Sequence, residues 1–226
     1  MTCYRNIARS GCLKEANSIN IEDVYSIEGL TQKEKNLFLQ RIGKTLVSLA
    51  LFWKIPRLPD DCKVRIVFVE KTQFEQELVL RGLEHHISDL AITTDKIFIK
   101  KHTDLDTICS QKEYQQLVLH ECVHMLQMYA STTLPENHIW LYESIACYMA
   151  GQRGNCTAYS TLMPQWSKFC SSFYVCPNAY YWAYKVGAYI FDNYNQEQIL
   201  QICCDSELAS QIGKQSWIFM ANELRL

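Results

Sequence analysis

The chain has 226 residues, 48% of them hydrophobic, enough to bury one core or a core with a small subdomain. Its 22 Lys and Arg nearly cancel its 24 Asp and Glu, and no long run of one sign occurs, so neither nucleic acid nor an anionic membrane is an expected partner. The most apolar stretch, Thr45 to Trp53, is too short to span a bilayer, and the opening MTCYRN lacks a signal peptide's apolar core, so membrane insertion is not expected and a cytoplasmic location is.

Eleven cysteines are many for this length. In a reducing compartment they act as small buried hydrophobes. No C-x-x-C occurs, which argues against a zinc ribbon.

Residues 1–30 carry no strong period and are expected to form an arm or N-terminal cap, with the main domain in 31–226. Thr31 followed by Glu34 is a capping-box signature. Leu37, Ile42, Leu46, Leu49 and Leu51 then recur at roughly helical spacing until Pro56 and Pro59 stop the helix. Lys63 to Val69 is β-branched and aromatic and reads as a strand. Thr72 and Glu75 make a second capping box, opening a short helix that ends near Gly82. Leu90 to Thr93 and Lys96 to Lys100, parted by Thr94-Asp95, read as a hairpin whose second strand has one face less buried.

A third capping box, Ser110 to Glu113, opens a helix carrying Tyr114, Leu117, Val118, Val123, Met125 and Leu126. Thr132 to His138 is a loop around Pro135, and Ile139 to about Gly151 is helical again. An aromatic helical pattern resumes from Ala179 to Tyr194 and continues toward Leu208. The fold class is therefore α+β, a small mixed sheet with a hairpin in 63–110 and a mainly helical part in 111–226.

The helix beginning near Ser110 contains His120-Glu121-Cys122-Val123-His124, an H-E-x-x-H. Residues four apart on a helix share a face, so both imidazoles can point at one metal ion. Two neutral imidazoles leave a zinc ion two positions short of tetrahedral coordination. Zinc lowers the pKa of water toward about 7, and the Glu121 carboxylate takes the proton as that water attacks a carbonyl.

A third protein ligand is needed. The pattern with a third His six residues past the second is not followed, since Gln127 and Ala130 stand in the places of its Gly and His. Glu143 is the strongest candidate, a carboxylate within the otherwise apolar helix Ile139 to Met149, where it is costly unless paired or metal-bound. Glu136 and His138 in the Pro135 loop are the alternatives; a helix holds a carboxylate with less conformational freedom.

With WLYESIACY at 140–148 following H-E-x-x-H, the chain resembles the gluzincin metallopeptidases over roughly 63–195. That family's glutamate helix commonly reads W-x-x-E-G-x-A-x-Y. The resemblance implies a zinc peptidase with ligands His120, His124 and Glu143 and general base Glu121. It also implies an extended peptide added as a strand beside Lys96–Lys100. Ser144 stands where the family usually has Gly. Cys147 stands where several members orient the first His with a carboxylate, leaving Asp89 and Asp95 as possible substitutes. The segment YYWAYKVGAY at 180–189 resembles the family's oxyanion-stabilising helix and nominates Tyr184, with Tyr181 second. Peptide or protein is the expected substrate. The alternative is a catalytically inactive metal- and peptide-binding regulatory domain, against which stands the retained Glu121, a residue that metal binding does not require.

Overall fold

The computed structural model describes residues 19–55, 57–80, 90–92, 96–130, 138–154 and 162–224, with backbone alone at 90–92. The helix end at Gly82, the Thr94-Asp95 turn, Asp89, Asp95 and Glu136, together with most of the Pro135 loop, lie outside the described residues. The protein is mixed α+β. It divides into two compact units, residues 1–130 and 131–226. The H-E-x-x-H helix lies in the first unit.

In the first unit, α1 (Ile21–Val24) and β1 (Tyr25–Glu28) occupy part of the segment expected to be an arm or cap. β1 pairs in parallel with β2 (Val64–Val69), Tyr25 opposite Val64 and Glu28 opposite Val67. Four residues are too few to show a period, so only this pairing identifies the strand. α2 (Gln32–Phe52) begins as its sequence indicates. The Thr31 side chain accepts from the Glu34 N–H, and the Glu34 carboxylate accepts from the Thr31 N–H at 2.7 Å.

The sheet runs β1-β2-β4-β3, with β3 at Leu90–Ile92 and β4 at Lys96–Lys100. β2 and β4 are parallel, and β3 and β4 are antiparallel, the pairing a hairpin requires. β4 thus has a neighbour on each side, and its backbone offers no edge to an added strand. Strand addition beside Lys96–Lys100 is corrected on that ground.

Both faces of β4 are covered. Ile97 and Ile99 are fully buried on the face shared with Ile66 and Phe68, where Phe68 meets Phe38 of α2 edge-on at 5.2 Å. Phe98, expected on a less buried face, packs with Val69 and with Phe74 and Leu78 of α3 (Lys71–Leu80). The second capping box does not form, because α3 already includes Thr72 and the Glu70 carbonyl accepts from the Phe74 N–H. The third does not form either. Ser110 ends a short helix, α4 (Leu105–Ser110), donating to the Thr107 carbonyl at 2.6 Å, and α5 (Lys112–Ala130) begins after it.

In the second unit, α6 (Ile139–Met149) and α8 (Ala179–Asn193) match their sequence patterns. They cross closely at Ser144 and Gly187, where a Cβ on Gly187 would lie 2.2 Å from the Ser144 carbonyl oxygen. Ser144 is fully buried and donates to the Trp140 carbonyl at 2.6 Å, so a small hydroxyl is absorbed without loss of this contact. The helical pattern past α8 breaks twice. Asn195 caps α9 (Gln196–Ile202), and Asp205 caps α10 (Ser206–Glu223). α7 (Trp166–Ser171) adds Trp166 and Phe169 to an aromatic core with Trp140, Phe173, Trp182 and Trp217. Tyr174 and Tyr180 stay exposed at its rim.

Among the described residues no helix is long and apolar enough to cross a membrane. The described cysteines are all free thiols, and most are buried.

Candidate metal centre

The first unit carries His120, Glu121 and His124, and the second carries Glu143, Tyr181 and Tyr184. On α5, Val118, Cys122, Val123, Met125 and Leu126 are buried to 0% exposure and anchor the helix in its unit's core. This fixes the direction of the two histidines one turn apart. Their rings meet edge-on with centroids 4.6 Å apart, and their Nε2 atoms are 2.9 Å apart. His120 is buried, while Glu121 and His124 are only half-buried. The carboxylate beside the first imidazole therefore keeps access to water.

The fit to zinc follows from this geometry. Two nitrogens bound at about 2.0–2.1 Å in a tetrahedral site stand about 3.3 Å apart. The observed 2.9 Å is shorter by about 0.4 Å. His124 presents its Nε2 because its other nitrogen is engaged: Nδ1–H donates to the amide oxygen of Gln127 at 2.9 Å. With that proton assigned, His120 Nε2–H donates to His124 Nε2 in the metal-free protein. Gln127 was passed over in the sequence. The signal for it was a polar side chain three residues past the second histidine of the motif, within a run that is otherwise largely buried and apolar.

In the second unit, Glu143 is 5% exposed, on a helix held by the fully buried Leu141, Ile145 and Ala146. A carboxylate so placed needs hydrogen bonds or a cation to remain ionised. The Tyr174 hydroxyl donates to its Oε1 at 3.2 Å. No spacing rule would have linked Tyr174 to Glu143 across thirty-one residues. One turn past Glu143, the Cys147 thiol comes within 4.8 Å of the carboxylate. Burial, and after it the Glu143 charge, push the Cys147 pKa well up.

The remaining nominees sit as follows. His138 takes the N-cap position of α6, is 4% exposed, and has Nε2 3.3 Å from the Ser206 carbonyl and the Ser210 hydroxyl. Tyr184 is half-buried on α8, its ring 5.8 Å from that of Tyr148 and 5.8 Å from the Arg153 guanidinium. Tyr181 lies against Trp182 at 5.0 Å, with the Lys185 ammonium 5.9 Å from its ring. Comparison with protein-family models, with curated proteins and with solved structures gives no match.

Proposed function

We propose that this protein is a zinc-dependent peptidase with metal ligands His120, His124 and Glu143 and general base Glu121. The observation that carries the reading is the facing pair of imidazole Nε2 atoms 2.9 Å apart, with the Glu121 carboxylate next in sequence on the same helix. A pair of neutral imidazole nitrogens brought this close is the kind of donor set zinc prefers. The buried Glu143 carboxylate supplies the negative charge that would complete the set. The WLYESIACY helix that bears it is the more specific half of the gluzincin resemblance.

When bound, zinc supplies Lewis acidity to a water and to the scissile carbonyl. The work of the chain's own residues is then separable. His120 and His124 act as neutral donors, each ring held by helix α5. Glu121 accepts a proton from the attacking water and passes it to the leaving amine. Glu143 would supply a negative charge to offset that of the ion. Tyr184, with Tyr181 second, is the hydroxyl assigned to the oxyanion. In this reading the sheet packs on the zinc helix, which the approach of α5 to β2 and β3 supports. Within the described sheet β3 is the edge strand beside β4, so a peptide substrate is assigned to pair along β3. The free thiols and the near-neutral charge support a cytoplasmic setting and no nucleic-acid partner.

The test is cleavage of a mixed peptide library by the zinc-loaded protein and its Glu121→Gln variant. Wild type should cleave, and the variant should keep its zinc while losing about two to four orders of magnitude in rate. Zinc binding without turnover by wild type would support the inactive binding domain instead.

A further inference from the structure

We infer that Gln127 is a positioning residue that sets the tautomer of His124 and so presents its Nε2 to the metal. The inference rests on the zinc reading above. Gln127 is 1% exposed, a buried amide among Val123, Met125 and Leu126, where a polar group is costly unless hydrogen-bonded. Its oxygen accepts from His124 Nδ1–H at 2.9 Å, three residues along the same helix. A neutral imidazole has one N–H. Holding it at Nδ1 leaves the lone pair on Nε2, the nitrogen that faces His120 Nε2 at 2.9 Å.

The same contact fixes the ring. An imidazole free to turn about its Cβ–Cγ bond would sample orientations in which Nε2 misses the metal. A buried acceptor on one nitrogen removes them. Metal-binding histidines generally rely on such a partner, usually a carboxylate or a backbone carbonyl, and losing it costs about 10–100-fold in metal affinity. Here the acceptor is a neutral amide. It orients the ring without adding a negative charge to the buried side of α5.

The readouts are zinc affinity, measured by competition with a chromophoric chelator, and the His124 tautomer in the metal-free protein, read from the ¹⁵N shifts of its ring. Gln127→Met keeps the length and volume of the side chain but has no acceptor. Gln127→Glu keeps an acceptor, and Gln127→Asn pulls it back by one methylene. We expect zinc to bind Gln127→Met and Gln127→Asn about 10–100-fold more weakly than wild type. Gln127→Glu should bind at least as tightly as wild type. The ring nitrogens of His124 should report a fixed Nδ1–H form in wild type and a mixture of tautomers in Gln127→Met.

Wild-type affinity in Gln127→Met, or equal weakening in Gln127→Glu and Gln127→Met, would overturn the inference while leaving the zinc site standing. Should Gln127→Met fail to fold, the contrast between Gln127→Glu and Gln127→Asn decides in the same way. A wild-type protein that binds no zinc overturns the parent reading and this inference together.

Discussion

Adding one methyl group at Gly187 should damage the second unit, although alanine is the better helix former. A Cβ there would lie 2.2 Å from the Ser144 carbonyl oxygen and 2.8 Å from the Tyr148 Cβ, atoms of α6 that no side-chain rotation moves. Restoring an ordinary 3.4 Å contact requires α6 and α8 to part by roughly 1.2 Å, the difference between that distance and 2.2 Å. Overpacking of this kind costs about 1–3 kcal/mol, and contacts to backbone put it near the upper end. Helix propensity returns about 1 kcal/mol. The net loss is about 2 kcal/mol, or about 4–8 °C in Tm for a chain of this size.

Gly43 on α2 supplies the control. A Cβ there meets only side-chain atoms at 3.7 Å, an ordinary contact, so Gly43→Ala should gain about 0.5–1 kcal/mol. Thermal unfolding of the two variants beside wild type is the assay. Opposite signs are expected. A Gly187→Ala protein as stable as wild type would refute the close crossing of the two helices and the placement of Glu143 that depends on it.

Other perturbations separate the remaining contacts. Tyr174→Phe removes the hydroxyl from Glu143 Oε1; because Tyr174 is 66% exposed, the loss should be only about 1 kcal/mol, about fivefold in zinc affinity by chelator competition. Arg65 donates to both Glu28 oxygens, at 2.8 and 2.7 Å, and these bonds hold the Glu28 carboxyl below its ordinary range. The stability this adds is present above the ordinary glutamate pKa and is lost as pH falls through the lowered value; Arg65→Ala should move the Glu28 titration upward when followed by carboxyl NMR. Burial pushes the Cys109 pKa up to about 11 and that of Cys203 to about 12, whereas Cys204 is exposed, so alkylation of the native protein at neutral pH should modify Cys204 well before either.

Where a helix start rests on local chemistry the sequence shows it, as at Thr31 and Glu34. Where two starts compete, tertiary structure decides. Ser110 has the right spacing to Glu113, yet its hydroxyl closes α4, a helix that Asp104 caps by accepting from the Thr107 N–H. β1 escaped notice because Tyr25-Ser26-Ile27-Glu28 becomes a strand only through its register with β2. The facing histidines were legible because helical geometry alone puts residues four apart on one face. Gln127 and Tyr174 were not. One depends on a rotamer, the other on a contact between α6 and the segment after α7.

The central claim is a zinc ion held by two imidazoles and a carboxylate. X-ray absorption at the zinc edge of the loaded protein tests it most directly. The account predicts one zinc per chain with nitrogen and oxygen neighbours at about 2.0–2.2 Å, imidazole multiple scattering, and no sulfur. A neighbour at about 2.3 Å would mark a thiolate ligand, Cys147 first among them, and would contradict the ligand set. No zinc at all in the loaded protein would contradict the function as a whole.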